Sequence, residues 1–329
     1  MTALGHMLRR REAGIALMIV LFCLAVGAYK PQFLTLDSAR IILLLTPLIM
    51  IGAMGQMLVI LARHVDLSMG SMMALAAMAS GMMFRYAPEI WWPLGFVLSI
   101  GVGMALGLVN GLLVTVFRLP AIIVTLGTLN LYRGLTFIMS DAKQIDRQYV
   151  PSALKAMSQT SPILGIPWII FMSFGVALLT WWFVTHTRLG RQIYALGSNP
   201  VAAPLRGIDV TRVTLIVFVI SGALSGLAGI MYASRWGFVN PSNTGNGFEF
   251  QVIAAVVIGG VSINGGVGTV LGTVLGVILL GCVAAALPLL GIPGTTQNAI
   301  YGSVILVALL IDRLVRLQGQ RSMLRGARI

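Results

Sequence analysis

Residues 41–80 read IILLLTPLIMIGAMGQMLVILARHVDLSMGSMMALAAMAS, forty positions with one polar interruption at Ala62-Arg63-His64-Val65-Asp66-Leu67-Ser68. A bilayer core needs about 20 apolar residues per crossing helix. The stretch on each side of the interruption is long enough, and the interruption holds the only charges. It therefore reads as two membrane helices joined by a tight polar break, with Asp66 and Ser68 as N-caps for the run that starts at Met69. A break buried at membrane depth must meet protein or line a cavity, because its backbone has no water to pair with.

The same pattern recurs along the chain. Apolar runs cover 14–29, 39–62, 65–84, 92–117, 120–140, 167–185, 213–234, 249–262, 267–290 and 297–311, the eighth unusually short. Composition agrees: 58% of the 329 residues are hydrophobic and 9% charged, with mean hydropathy +0.95. A soluble domain carries about 25% charged residues, so soluble enzymes and disulfide scaffolds are excluded. No alternating ten-residue pattern recurs, which disfavours a β-barrel. The expected fold is all-α: a polytopic transmembrane helix bundle of about ten spans, with eight to ten as the range.

The formal charge of +13 does not track nucleic acid, since the arginines sit in short loops between apolar runs. With the N-terminus in the cytoplasm and spans alternating, fourteen Lys and Arg fall inside and seven outside, Arg133 remaining within the fifth span. That satisfies the positive-inside rule and places both termini in the cytoplasm. Residues 1–13 then form a cytoplasmic segment, 14–312 the membrane domain and 313–329 a cytoplasmic tail, without a cleavable signal peptide. Two loops exceed a turn, 141–166 outside and 186–212 inside. Five spans before the first and five after it would set the halves in opposite orientation, a 5+5 inverted repeat.

The chain has three lysines, Lys30, Lys143 and Lys155, none after a glycine-rich loop, so a phosphate-cradling G-x-x-x-x-G-K-[ST] is excluded. No catalytic residue, metal site or cofactor is expected, and Cys23 and Cys282 read as inert core thiols. Gly259, Gly260, Gly265 and Gly266 mark a sharp break between two helices. Glu249 opens the short eighth run, where a carboxylate favours the helix N-terminus, read as a cap at the outer interface. Arg133 reads as snorkelling to that interface, with Glu249 the alternative partner across the bundle. In the inner loop, Asn199 suits an N-cap, Pro200 the first helical position and Gly207 a C-terminal cap, specifying a short surface helix. Gly101-x-Gly103-x-x-x-Gly107-x-x-x-Gly111 and Gly222-x-x-x-Gly226-x-x-Gly229 let helices pack closely. Asn110, Thr125, Thr128, Asn130 and Ser221 are neutral polar residues within spans, suited to interhelical hydrogen bonds.

Several blocks in order resemble the permease subunits of bacterial ATP-binding-cassette importers for monosaccharides, the ribose type. They are Val65-Asp66-Leu67-Ser68-Met69-Gly70-Ser71, Leu119-Pro120-Ala121-Ile122-Ile123-Val124-Thr125-Leu126-Gly127-Thr128, Ala195-Leu196-Gly197-Ser198-Asn199, Ala254-Ala255-Val256-Val257-Ile258-Gly259-Gly260 and Gly265-Gly266-Val267-Gly268-Thr269-Val270-Leu271-Gly272-Thr273. Arg63-His64-Val65-Asp66 and Leu287-Pro288-Leu289-Leu290-Gly291-Ile292 are similar to the rhamnose and autoinducer-2 branch. The resemblance implies a permease of the bacterial inner membrane that works with cytoplasmic ATP-binding subunits, a periplasmic sugar-binding protein and a second permease chain. It implies that Asn199, Pro200, Val201, Ala202, Ala203, Leu205, Arg206 and Gly207 form a coupling helix seated on the ATPase. The chain departs from the family at Pro204, and at Glu249-Phe250-Gln251, where members often read Glu-Leu-Asp.

The expected function is transport of a monosaccharide or related polyol-like solute without catalysis by this chain. Asp66, Ser68, Asn110, Thr125, Thr128, Asn130 and Glu249 are the candidates for the pathway. The competing classes are an ion-coupled secondary transporter, which needs a titratable group near the midplane, and a passive channel.

Overall fold

The computed structural model describes residues 11–159, 165–293, 296, 299–303, 306 and 310. Twelve α-helices have bounds among the described residues, besides a 3-10 turn at Pro31–Leu34: α1 Arg11–Tyr29, α2 Leu36–Leu61, α3 Met69–Tyr86, α4 Leu94–Thr115, α5 Ala121–Ser140, α6 Ser152–Gln159, α7 Trp168–His186, α8 Arg188–Ser198, α9 Ala202–Leu205, α10 Val210–Trp236, α11 Phe248–Ile258 and α12 Val270–Leu289. The described residues of 297–311 are helical, and the remainder of that run, with residues 1–10 and 313–329, lies outside the description. Hydroxyls and carboxylates set several helix starts, as Thr35, Thr187, Asp209 and Thr269 accept first-turn amides.

Among the described residues seven helices, α1, α2, α4, α5, α7, α10 and α12, are long and apolar enough to cross a membrane. The third and eighth expected runs behave differently. α3 is built largely of Met, Ala, Gly and Ser, and most of its side chains are buried by neighbours, so it needs little lipophilicity of its own. α11 has 11 residues, which at 1.5 Å per residue span about 16 Å, half of a hydrocarbon core of about 30 Å.

The centre of the bundle is α10, packed against α4, α2 and α3, while α12 lies against α2, α11 and α1. Apolar burial cannot drive this association in lipid, so close van der Waals approach must. A Cβ on Gly103 would strike the Gly222 carbonyl, one on Gly107 the Phe218 carbonyl, and one on Gly222 the Gly103 carbonyl. The α4 and α10 backbones are thus in direct contact, and Ser99 Oγ donates to the Gly226 carbonyl at 2.7 Å. Gly229 turns instead to α3, against Met73 and Ala77. Gly101, grouped with this motif from its spacing, has open space around its Cβ direction because two residues further round the helix is the opposite face.

The two long loops carry more structure than expected. The outer one holds α6 and pairs Ile145 with Val239 in an isolated antiparallel bridge. The inner one holds the amphipathic α8 before α9, burying Gly190, Ile193, Leu196 and Gly197 on one face. Cys23 and Cys282 are brought together, Sγ to Sγ 3.9 Å, as free thiols.

Gly103→Val forces the α4 and α10 backbones apart and should cost at least about 1–3 kcal/mol, read as a lower thermal unfolding midpoint in detergent. Gly101→Ala should stay within about 0.5 kcal/mol of the parent.

Candidate translocation site and coupling junction

The polar break at 62–68 closes on itself. Asp66 Oδ1 accepts the Ser68 amide at 2.9 Å and the Ser68 hydroxyl at 2.7 Å. With its hydrogen spent there, Ser68 Oγ accepts Asn110 Nδ2 at 2.8 Å. Asn110 Oδ1 faces the Tyr132 hydroxyl at 3.1 Å, and the Leu106 carbonyl lies 3.0 Å from that same hydroxyl. On the other side, Ser221 Oγ donates to Asp66 Oδ2 at 3.4 Å. The relay joins the break to α4, α5 and α10, and Asp66, Ser68 and Asn110 are each 0% exposed. Thr125 adds a bond to the Val65 carbonyl at 3.3 Å.

This revises one reading from the sequence. Ser68 precedes α3 but makes no side-chain cap bond to it. Asp66 orders the turn instead, and the serine hydroxyl is taken up by the cross-helix relay.

A second break enters from the opposite end. α10 stops at Gly237, whose φ of 73° is left-handed, beside Arg147 and Lys155 of the outer loop. Residues 240–247 then turn inward until Gly245, φ 69°, lies backbone to backbone with Gly70 of α3. Phe248 at the start of α11 packs on Gly52, nine residues before the end of α2, about 14 Å along it. The loop therefore dips to mid-bundle, and α11 completes the crossing. The N-termini of α3 and α11 meet at Gly70 and Gly245 and the two helices run to opposite ends: Arg85 of α3 reaches the outer-loop ring of Tyr149, whereas the turn after α11 reaches Arg63.

Glu249, 7% exposed, lies beside Gly70, so it is not at an outer interface as its sequence position implies. Its helix simply begins deep. Arg133 likewise does not snorkel. Its guanidinium donates to the carbonyls of Pro241 at 3.1 Å and Thr244 at 2.6 Å, within electrostatic reach of Glu249. A non-helical loop at this depth exposes carbonyls that lipid cannot satisfy, and a cation with several donors answers them.

The third feature is a junction of three backbone segments. The Gly266 amide donates to the Leu61 carbonyl at 3.0 Å. A Cβ on Gly197 would collide with that same carbonyl, one on Gly265 with the Arg63 side chain, and one on Gly266 with Ser198. The Tyr194 hydroxyl donates to the Gly268 carbonyl at 2.9 Å. Gly260, Gly265 and Gly266 have φ of 83°, 80° and 71°, a left-handed turn that other residues adopt at a cost. The end of α2, the turn between α11 and α12, and the end of α8 are thereby packed as one body. From it projects the inner-loop element: Asn199 Oδ1 accepts the amides of Val201 at 3.2 Å and Ala202 at 3.0 Å. α9, which contains Pro204, is only four residues long, and Gly207 leaves it with φ 76°.

Of the residues singled out from sequence, the fold gathers Asp66, Ser68 and Asn110, with Thr125 adjoining and Glu249 near. Thr128 lies on the same buried face of α5, bonded to the Thr125 carbonyl. Asn130 does not join them: it is exposed, its amide turned to the Leu126 carbonyl of its own helix. Sequence reading missed Tyr132 and Tyr194. The signal for Tyr132 was present, since Thr125, Thr128, Tyr132 and Thr136 recur at helical spacing and form the buried polar stripe of α5. Among the described residues no group of three or more His, Cys, Asp and Glu is arranged for a metal ion.

Residues 38–309 match the family described as branched-chain amino acid transport system / permease component. The chain belongs to this family of permeases. It is also similar to proteins named autoinducer 2 import system permease protein LsrC. That of Salmonella typhi is 36% identical over 316 residues, 96% of this chain and 89% of the relative. That of Photorhabdus luminescens is 35% identical over 306 residues, 92% and 90% of the two chains, and that of Klebsiella pneumoniae 35% over 310, 94% and 88%. No solved structure matches the chain. The permease is a multi-pass membrane transport subunit of an ATP-driven importer and not an enzyme, with hydrolysis carried by a partner ATPase. That assignment displaces the ion-coupled and passive-channel alternatives.

Arg133→Met removes the donors from the carbonyls of Pro241 and Thr244, both buried residues, and should destabilise the permease by about 1.5–3 kcal/mol per charge-assisted bond lost. A cysteine placed at Thr244, which is fully buried, should react with a membrane-permeant maleimide faster in the Arg133→Met background than alone.

Proposed function

We propose that this permease imports a small, neutral, hydroxyl-rich solute of the autoinducer-2 or monosaccharide type across the bacterial inner membrane, with both termini cytoplasmic. The observation that carries this reading is the collinear identity of 35–36% to permeases named for autoinducer 2 import, over more than nine-tenths of the chain. The polar groups gathered at mid-bundle agree with it. They are mainly hydroxyls and amides, the donors and acceptors that a sugar-like solute exchanges for water, and the two carboxylates of Asp66 and Glu249 are already engaged by the protein.

In this reading residues 14–312 form the permease domain, with 141–166 periplasmic and 186–212 cytoplasmic. Two such chains, alike or similar, pair across the pathway, receive solute from a periplasmic binding protein and rest on two cytoplasmic ATP-binding subunits. Asn199 to Gly207 is the coupling element. Its support is that Val201 and Leu205 are 79% and 86% exposed, apolar residues on a rigidly mounted projection that nothing among the described residues covers. An ATPase pushing on this projection would move the junction at Leu61, Gly197 and Gly266, and with it the break from α2 to α3 and the turn that ends α11. A 5+5 inverted repeat would pair the break from α2 to α3 with the loop from α10 to α11, and Asp66, Ser68, Asn110, Thr125, Thr128 and Glu249 are the candidates to line the pathway about the point where Gly70 and Gly245 meet.

Vesicles holding the permease, its ATP-binding subunits and its binding protein should take up autoinducer 2 only with ATP, and still do so after the proton gradient is collapsed. Uptake without the ATPase overturns the reading. Leu205→Asp puts a charge on the exposed coupling surface and should leave the fold intact while lowering co-purification of the ATPase at least about tenfold, the scale of losing one buried interface anchor.

A further inference from the structure

Beside the first break lies a cavity of about 680 Å³ that the transport reading leaves unused. It forms where several helices end at one level: Arg63, His64 and Val65 beyond α2, Thr115 and Arg118 at the end of α4, Pro120, Ala121 and Ile122 at the start of α5, and Val210, Thr211 and Thr214 at the start of α10. No Asp or Glu lines it. The nearest carboxylates are turned elsewhere, Asp66 into the Ser68 and Ser221 bonds and Asp209 to the Arg212 amide. Two arginines and the N-terminus of α5 therefore border one space that no carboxylate lines, the N-terminus of α10 being capped by Asp209.

Both arginines are held in the left-handed region, Arg63 at φ 67° and Arg118 at φ 55°. Glycine takes such a turn without steric cost. Each arginine follows the C-terminus of a helix, α2 and α4, where a left-handed residue ends the helical run. Apart from His64 and the threonines the rest of the lining is apolar, and it continues outward onto exposed aliphatic surface, with Leu119 44%, Ile122 55% and Val116 62% exposed. The cavity thus joins two cations to an apolar mouth of exposed aliphatic side chains.

We infer that this cavity binds the phosphate headgroup of an anionic phospholipid of the inner leaflet, with Arg63 and Arg118 on the phosphate and the acyl chains against Leu119 and Ile122. A soluble phosphate would use the arginines but leave the apolar mouth uncovered, and a neutral solute would leave the arginines unpaired. The inference rests on the proposed orientation only to name the inner leaflet.

The test uses the full chain, delipidated in detergent and equilibrated with mixed micelles of phosphatidylglycerol and phosphatidylcholine in equal amounts. Native mass spectrometry should find phosphatidylglycerol retained in preference to phosphatidylcholine. Arg63→Gln and Arg118→Gln should each lower that preference about fivefold, and Arg188→Gln, on an exposed cation of α8, should leave it unchanged. Because glycine suits φ 55°, Arg118→Gly gives a second variant that keeps the backbone should the glutamine form unfold. Equal retention of the two lipids, unchanged retention in the Arg63 and Arg118 variants, or displacement of phosphatidylglycerol by millimolar inorganic phosphate overturns the assignment. The measurement needs neither ATPase nor binding protein, so its failure and a failure of ATP-driven uptake are read separately.

Discussion

A backbone amide or carbonyl left unpaired in hydrocarbon costs several kcal/mol, and this permease interrupts its helices at membrane depth. Everything at its centre answers that constraint. At the first interruption Asp66 takes the Ser68 amide and hydroxyl, and the relay through Asn110 and Tyr132 ties the turn to two neighbouring helices. At the second, Arg133 satisfies the carbonyls of Pro241 and Thr244. Two charged side chains that look misplaced in a membrane sequence are there because the backbone is irregular beside them.

The breaks can be buried only because the helices approach closely. Glycine at 103, 107 and 222 brings α4 and α10 into backbone contact, which places Asn110 of α4 and Ser221 of α10 on either side of the Asp66 turn. Packing and polar satisfaction are thus one arrangement: a bulkier residue at the glycine seam would draw the donors away from the carboxylate. The meeting of Gly70 and Gly245 follows the same logic, since only a chain without Cβ atoms lets two helix N-termini approach within the bundle.

The same close approach recurs where α2, α8 and α11 end. Leu61, Gly197 and Gly266 share one packed junction, so the inner-loop projection, the end of α2 and the turn between α11 and α12 cannot shift independently.

Much of this was legible in the residues alone. Run length, low charge and the arginine asymmetry determine a polytopic helical membrane protein, the ordered blocks mark a transport permease, and Asn199 with Gly207 define the ends of the projecting inner element. The glycine run at 259–269 reads as a turn because no other residue tolerates so many left-handed positions. What the residues could not show is depth and partnership. Glu249 and Arg133 look like interface residues when a short apolar run is assumed to start at the membrane surface; only the fold reveals that the chain descends to mid-bundle before α11 begins. Tyr132, Ser221 and Tyr194 become partners of distant groups through packing, and Asn130 is turned away by a rotation about α5 that spacing from one helix leaves undetermined. Periodicity states which residues share a face, whereas which neighbour that face meets is decided by close approach between segments far apart in the chain.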